Sequence, residues 1–323
     1  AKLATKSDAD KTRWLTAERA FALQAERQAP EATGIAILPK PAKAVQGKGN
    51  PVDLGRGLAL KLDGVDRAAV APALAALGVA EGGALALTIR VDTGMKPEGY
   101  VLDVKAPGIA ITAGDAAGAS HALRSLAQQA AFDKGELKPL HVEDAPEYGF
   151  RGLHIDLGRN FHGRGQILKL VEAMAAYKLN KLHLHLADDE GWRIEIPALP
   201  ELAAVGSKRC HDPAEQTCLL PQLGAGPDGA GGVNGYLSVA DYVAIVRAAT
   251  ARQIEVIPSI DMPGHSRAAI KAMEVRYARL SAAGKKAEAE QYRLIDPADT
   301  TEYRSIQNYS DNTLNVCLAA TYR

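Results

Sequence analysis

The stretch 181–196 alternates apolar and polar positions as an extended strand does. Side chains of a strand point to opposite faces with period two. The apolar positions share one face: Leu182, Leu184 and Leu186. The polar positions share the other: His183, His185 and Asp189. The pattern predicts a strand with one face for packing and one polar face for chemistry.

Charged and aromatic residues follow directly at the end of this strand. They are Asp188, Asp189, Glu190, Trp192 and Arg193, with Gly191 between them. In parallel α/β folds, functional sites form at the carboxyl ends of the strands. We therefore expect acids, an aromatic ring and a cation from this run to belong to one site.

Two similar strands flank the central one along the chain. The first covers residues 152–161 and leads to a helix over 166–179; the second covers 254–261 and follows a helix over 234–253 capped by Ser238. Each strand has one apolar and one polar face, which favours the first three units of a (β/α)8 TIM barrel. A doubly wound sheet, usually apolar on both faces, is the second choice.

The chain before residue 147 predicts a different organisation. A helix over 8–28 is expected within an exposed linker, residues 1–33, and a small α+β domain is expected over 34–146. Its predicted strands are 34–39, 57–64, 84–92, 100–108 and 108–114, and its predicted helices are 65–77 and 115–132. The charged segment 133–146, with two prolines, is the expected link to the barrel part, 147–323.

Composition excludes several classes of partner. The 323 residues include 38 basic and 38 acidic side chains, so there is no global basic field and nucleic acid is an unexpected partner. No apolar run approaches the roughly 18 residues of a membrane span. We expect a soluble protein.

Cys210 and Cys218 lie close together in a loop rich in Pro, Gly and Asp. This spacing predicts a small disulfide ring and an oxidising compartment, so a periplasmic or secreted location is expected, with outer-membrane association also open. Cys317 is left over, either free or separated from its partner.

The ends of the three predicted strands supply Arg159, the pair Asp188 and Asp189, and His265. A barrel would bring these groups around one mouth, with Trp192 alongside. Arginine donates a planar fork of hydrogen bonds, carboxylates accept from hydroxyls, and indole stacks on sugar rings. The set therefore favours sugar binding. Strand alternation favours Asp189 as the inward member of the acidic pair, although loops can break the alternation.

The motifs RGLHIDLGRNFH, KLNKLHLHLADDEGWRIEI and VIPSIDMPGHSRAA follow one another in this order. They resemble the β-N-acetylhexosaminidases of glycoside hydrolase family 20, bacterial chitobiase type, and the resemblance begins at about residue 34. It implies a small α+β domain before a TIM barrel. It also implies retaining hydrolysis of terminal N-acetylhexosamine from chito-oligosaccharides or glycans, assisted by the substrate's acetamido group.

By this resemblance, Arg159 would bind sugar hydroxyls, with Trp192 as a further substrate-binding residue. An acid of the 188/189 pair and His265 would tune the catalytic acid in a supporting role. No cofactor and no metal are implied, and the expected partner is an N-acetylglucosamine-containing oligosaccharide. The preference between GlcNAc and GalNAc stays open.

The family's catalytic Asp-Glu pair belongs to an H-x-G-G-D-E-like motif, and no such motif occurs in the 323 residues. Glu190, on the second strand, is not expected to replace it. We therefore expect the chain to be the N-terminal part of a longer enzyme, with the remainder of the same polypeptide completing the barrel. The chain alone is expected to be inactive.

Two alternatives remain at this point. His183 and His185, with acids just beyond, resemble a metal-binding pair, which would indicate a metal-dependent barrel hydrolase. Without the acid, the chain could also be a non-catalytic carbohydrate-binding fragment.

Overall fold

The structure, a computed structural model, describes residues 16–25, 34–222, 224–230 and 232–323. The chain divides into two units, residues 1–36 and residues 37–323. In the first unit the described helix is α1 (Ala17–Ala25), which has no buried side chain. The remainder of the helix predicted over 8–28, and most of the predicted linker, lie outside the described residues.

The second unit begins with a mixed sheet and two helices. In chain order its elements are β1 (Lys43–Gln46), β2 (Val52–Asp53), a 3₁₀ turn (Leu54–Arg56), β3 (Leu58–Asp63), α2 (Arg67–Leu77), β4 (Leu85–Val91), β5 (Tyr100–Lys105), β6 (Gly108–Ala113), α3 (Ala116–Phe132), β7 (Glu136–Leu137) and β8 (Leu140–Asp144). Six strands form one sheet in the order β1-β8-β5-β6-β4-β3, and β2 pairs with β7. Strands β3, β4 and β6 are parallel, whereas β1, β8 and β5 pair antiparallel. This combination of a mixed sheet and two helices is the organisation expected for a small α+β domain.

Alternate residues of these strands form the core. Leu85, Leu87 and Ile89 of β4 are fully buried, as period two requires for a sheet covered on one face. Helix α3 contacts β4, β5 and β6 and packs against α2. Asp115 caps α3, since its carboxylate accepts from the backbone N–H of Gly118 at 2.8 Å.

Two predictions for this region are wrong. Residues 34–39 do not form a strand, because the backbone N–H and C=O of Leu38 bond to the side chain of Gln128, at 2.7 and 2.9 Å, instead of to a neighbouring strand. Residues 133–146 are not a simple link, because they contain β7 and β8. Buried Leu140 and Val142 alternate with polar residues in β8, which lies between β1 and β5.

The rest of the unit is built of strand and helix pairs. Its elements are β9 (Gly152–Asp156), α4 (Arg164–Ala176), β10 (Lys181–Asp188), β11 (Gly191–Trp192), α5 (Pro200–Ala204), α6 (Val239–Thr250), β12 (Glu255–Ile260), α7 (Arg267–Ala282), α8 (Lys286–Ala289) and 3₁₀ turns over Glu290–Tyr292 and Ala319–Tyr322. Strand β10 is parallel to β9 and to β12, and β11 pairs antiparallel with its last residues.

The leucine face of β10 is the centre of the core of this part. Leu182, Leu184 and Leu186 are fully buried and belong to a cluster with side chains of α4 and α6. Ser238 caps α6 as predicted, its hydroxyl accepting from the backbone N–H of Asp241 at 3.1 Å. Burial of one face leaves the polar face of β10 for the site.

The strands β9, β10 and β12 with their helices correspond to three units of the predicted barrel. The described residues do not close a barrel, and in this part of the chain the outer edges of β9 and β12 have no partner strand. Cys210 and Cys218 form the predicted disulfide, whereas Cys317 is free and exposed. No helix in the described ranges has both the length and the apolar character to cross a membrane.

Candidate active site

The carboxyl ends of the three parallel strands bring Arg159, Asp188 and His265 together. Arg159 follows β9, Asp188 ends β10, and His265 follows β12. The Asp188 carboxylate is 0% exposed and lies 2.6 Å from Nη1 of Arg159 and 3.1 Å from Nδ1 of His265. One buried anion thus joins groups from three strand ends.

Strand alternation favoured Asp189 as the inward acid, but Asp188 occupies that position. The register between β10 and β12 shifts between His185 and Ala187. Such a bulge breaks the period of two and turns the following side chain to the other face. Close packing of Gly158 at this point also holds the strand end, because a Cβ on Gly158 would lie 3.0 Å from the Cβ of Asp188.

Asp189 is also buried, and its hydrogen bonds go to segments that follow β12. Its carboxylate accepts from the backbone N–H of Arg267 at 3.1 Å and from the amide of Asn312 at 2.8 Å. Nδ1 of His265 lies 3.7 Å away. Burial raises the pKa of Asp189, and the two hydrogen bonds oppose that rise.

The pKa of Asp188 shifts in the opposite direction. Burial alone would raise it, but hydrogen bonds from His185 and from the backbone of Asp189, with the charge of Arg159, lower the pKa below its ordinary value. The bond from Nε2 of His185 is 2.8 Å long and raises the pKa of that imidazole. Asp188 is therefore an ionised carboxylate that contacts Arg159, His185 and His265.

Arg159 is held from several sides while part of it stays open. Its Nη1 donates to Asp156 at 3.1 Å, and its Nε lies 3.1 Å from Oε2 of Glu190. Burial would lower the pKa of Arg159, but Asp188, Asp156 and Glu190 raise it. The side chain is 30% exposed, and its Nη2 lies 3.4 Å from Nδ1 of His265.

The two histidines of the central strand are engaged by protein groups. His183 Nε2 lies 2.7 Å from the hydroxyl of Ser259, and His185 Nδ1 lies 3.2 Å from the same oxygen. The other ring nitrogen of His185 bonds to Asp188. Both histidines of the polar strand face are therefore hydrogen-bonded within the protein.

Among the residues that the structure describes, two sets of atoms have a spacing that could hold a metal: His185, Asp188 and Asp261, and Asp188, Asp189 and His265. Both sets require Asp188, whose carboxylate is already neutralised by Arg159 at 2.6 Å. A metal ion would have to displace this guanidinium. The residues therefore do not fit a resident metal.

Trp192 is not an open aromatic plate beside Arg159. It is only 9% exposed and packs in an apolar cluster with Leu202, Leu219 and Met273. Its indole N–H donates to the carbonyl of Ile194 at 2.6 Å. The ring does line an apolar cavity of about 160 Å³, together with Asp188 and His265.

Arg193 was expected to add a cation to the site, but it is a structural residue. The buried guanidinium donates to the carbonyls of Leu157 at 2.9 Å and Ser207 at 2.7 Å, and burial lowers its pKa to about 9. It fills the space where a Cβ on Gly191 would lie, 2.3 Å from the guanidinium carbon. Gly191 is therefore required for this packing.

Sequence reasoning missed Arg267 and Asn312 as partners of Asp189. Both lie in segments after β12, and Asn312 stands in no pattern that indicates a site. Only the VIPSIDMPGHSRAA motif, which contains Arg267, pointed to this part of the chain.

Comparisons with known proteins identify the family of this chain. The profile "Glycosyl hydrolase family 20, catalytic domain" matches residues 148–323, and "Glycosyl hydrolase family 20, domain 2" matches residues 34–145. "Beta-hexosaminidase B" of Pseudoalteromonas piscicida is 46% identical over 98% of this chain and 41% of its own length. "N,N'-diacetylchitobiase" of Vibrio harveyi is 46% identical over 89% of this chain and 34% of its own length.

Solved structures similar to this chain also include enzymes of family 20. A GH20 exo β-N-acetylglucosaminidase from Vibrio harveyi, solved with N-acetylglucosamine, has a TM-score of 0.75 and 31% identity, covering 89% of this chain and 43% of that one. The Streptomyces plicatus N-acetyl-β-hexosaminidase has a TM-score of 0.59 and 32% identity, covering 73% of this chain and 47% of that one. The chain thus spans less than half the length of these relatives. It belongs to glycosyl hydrolase family 20, with that family's domain 2 and part of its catalytic domain.

Proposed function

We propose that this chain supplies part of the sugar site of a β-N-acetylhexosaminidase of the chitobiase type. The complete protein would hydrolyse terminal non-reducing N-acetylhexosamine from chito-oligosaccharides or glycans. Family membership supports the reaction class, and a relative that is 46% identical is an N,N'-diacetylchitobiase. The chain covers 34% of that relative, so the activity is proposed for the complete protein.

The observation that carries the proposal is the position of Arg159. Asp188 and Glu190 hold its guanidinium by contacts of 2.6 and 3.1 Å, while 30% of the side chain stays exposed. A planar fork of donors fixed in this way can bind two neighbouring sugar hydroxyls at once. Its contacts with the protein orient the fork before the ligand arrives, which reduces the entropy lost on binding.

The proposed mechanism is retaining and substrate-assisted, so the substrate's acetamido oxygen attacks its own anomeric carbon. Asp188 holds Nδ1 of His265 at 3.1 Å, and the described residues supply no hydrogen bond to Nε2 of this ring. His265 can therefore relay the charge of Asp188 to the catalytic acid. That acid and the residue orienting the acetamido group would come from the remainder of the polypeptide.

The proposal is tested by Arg159→Ala in the complete protein. We expect kcat/KM for a chromogenic N-acetyl-β-glucosaminide to fall. The fall should correspond to a loss of about 2 to 3 kcal/mol of transition-state stabilisation, the size of lost charged hydrogen bonds. Arg164→Ala is the control, because Arg164 is 52% exposed and pairs with Asp241 at the start of α6. An unchanged kcat/KM for Arg159→Ala would refute the role of this residue.

The purified chain by itself separates the alternatives. Intact mass, an assay with the same glucosaminide, and calorimetry with N-acetylglucosamine are measured together. The proposal expects no turnover by the chain alone and turnover when the remaining polypeptide is present. Sugar binding without turnover in both samples would favour a carbohydrate-binding role, and stoichiometric zinc would favour the metal-dependent alternative.

We further propose a periplasmic or secreted location. The disulfide between Cys210 and Cys218 supports it, since such bonds persist in oxidising compartments. Fractionation of the producing cells tests this, including the membrane fraction for outer-membrane association. Recovery of the protein in the cytosol with both thiols reduced would contradict the proposal.

A further inference from the structure

Arg267, the first residue of α7, is the point where three segments of the chain meet. Its side chain is buried and makes a two-bond contact with Glu215, at 2.7 and 2.5 Å. Its Nε donates to Asp311 at 2.9 Å, and the guanidinium lies over the ring of Tyr309. Burial would lower the pKa of Arg267, but these two carboxylates raise it.

Glu215 belongs to the ring closed by the disulfide of Cys210 and Cys218. It is buried like Arg267, and its carboxylate also accepts from the backbone N–H of Leu220 at 2.9 Å. Its φ of +49° is a conformation that a non-glycine residue holds only when its surroundings fix it. The disulfide ring thus holds the carboxylate of Glu215 in a fixed position against Arg267.

The last segment of the chain supplies the second carboxylate. Asp311 bonds to Arg267 and lies 3.1 Å from the ammonium of Lys271 on the same helix. The next residue, Asn312, donates to Asp189 at 2.8 Å, and its carbonyl accepts from Ser266 at 3.0 Å. The position of Asn312 against Asp189 therefore depends on where Asp311 is held.

We propose that Arg267 is a positioning residue for the Asp189 and His265 side of the site. Its side chain fixes the disulfide ring and the 309–312 segment, and its backbone N–H donates to Asp189 at 3.1 Å. His265, two residues earlier, has a φ of +57°, so its ring direction relies on a fixed start of α7. This proposal deepens the proposed function, because it concerns the same site.

The test compares two buried carboxylates that both pair with arginines of α7. Glu215→Gln weakens the contact to Arg267. Glu201→Gln is the matched control, since Glu201 is equally buried and pairs with Arg276 at 2.7 Å and Arg279 at 2.8 Å. Among the described residues, this group makes no hydrogen bond to Asp189, His265 or Asn312. Both changes remove one buried charge from an ion pair with the same helix, so a general loss of stability affects both.

The readout uses the chain itself, labelled with ¹⁵N. For Glu215→Gln we expect the ring ¹⁵N signals of His265 to move and the amide of Arg267 to exchange at least about tenfold faster. For Glu201→Gln we expect a similar loss of melting temperature with neither change. Arg267→Lys keeps the charge but not the fork, so a partial His265 shift is expected there. Wild-type His265 signals and Arg267 exchange in both folded Glu215→Gln and Arg267→Lys would overturn the proposal.

A second arm uses the complete protein. Glu215→Gln should lower kcat, by up to about 100-fold if the site moves by an ångström, with little change in KM because the Arg159 contacts remain. A fall in kcat equal to that of Glu201→Gln would count against positioning. If the complete protein hydrolyses no N-acetylhexosaminide, the proposed function fails, and the ¹⁵N signals still decide the role of Arg267.

Discussion

Oδ2 of Asp188 lies 2.6 Å from Nη1 of Arg159, and this carboxylate is inaccessible to solvent. The pair comes from two different strand ends, so it joins β9 to β10 as well as orienting the guanidinium. A buried carboxylate needs its cation, because an unpaired charge in the interior is far more costly than a paired one. The contact is therefore structural and functional at once.

Asp188→Asn should destabilise the fold strongly. Removing one partner of a buried pair costs about 3 to 5 kcal/mol, and urea denaturation measures the loss in free energy of unfolding. Asp156→Asn is the control on the same arginine, with an expected cost of about 1 kcal/mol for one half-exposed hydrogen-bonded group. Equal losses of stability for the two variants would show that the buried pair of Asp188 and Arg159 contributes no more than the half-exposed contact of Asp156.

His121 should make the stability depend on pH between about 6.5 and 4. Burial, with smaller contributions from Lys178 and Arg151, lowers the pKa of this imidazole to about 4 against the opposing effect of Glu98. An unfolded chain binds a proton near pH 6.5 that the folded chain does not, so the stabilisation is complete above pH 6.5 and is lost as the pH falls towards 4.

The expected loss is roughly 3 kcal/mol, from a difference of about 2.5 pH units at 1.36 kcal/mol each. Denaturant unfolding at steps between pH 7.5 and pH 4 measures it, and His121→Gln should flatten the slope. His211→Gln, which changes an exposed histidine, is the control for the substitution itself. A wild-type slope in His121→Gln would show that other groups cause the dependence.

Breaking the disulfide should lower the stability by about 2 to 3 kcal/mol, the entropy expected for a closed loop with a sequence separation of 8. Cys210→Ser and reduction of the wild type by dithiothreitol should give the same shift in melting temperature. Cys317→Ser should give none, since Cys317 is free and exposed. A reductant effect that persists in Cys210→Ser would assign the shift to another cause.

The alternation of apolar and polar residues sufficed to predict the strands that carry the site. Period two in residues 181–186 predicted both the buried leucine face and the polar histidine face of β10, because both depend on neighbouring residues alone. The strand at 140–144 was not predicted, because its charged residues and the prolines on either side are typical of a loop. It forms because β1 and β5 lie on either side of it, which is information from distant parts of the chain.

The site, too, could be predicted only as far as it depends on neighbouring residues in the sequence. The convergence of Arg159, Asp188 and His265 could be predicted from three strand ends. The bulge that turns Asp188 inward could not, because it arises from the pairing of β10 with β12. The burial of Trp192 depends likewise on α5 and α7 packing over it.

Glu190→Gln should stabilise the fold at neutral pH. Glu190 is 4% exposed, and burial raises its pKa, with Asp188 and Asp189 adding to the rise and Arg159 opposing it. A raised carboxyl pKa means that the folded state binds the proton more tightly, so the charge on Glu190 reduces stability above the unfolded pKa of about 4.5.

Oε2 of Glu190 lies 3.1 Å from Arg159 Nε but has no aligned hydrogen bond among the described residues. Glu190→Gln removes the charge and keeps an amide oxygen for Arg159, so we expect a gain of about 1 kcal/mol at pH 7, the low end of the cost of an unpaired buried polar atom. The gain should disappear near pH 4, where the wild-type carboxyl is protonated. Urea denaturation at both pH values measures it, and a less stable variant at pH 7 would show that attraction to Arg159 outweighs the burial of Glu190.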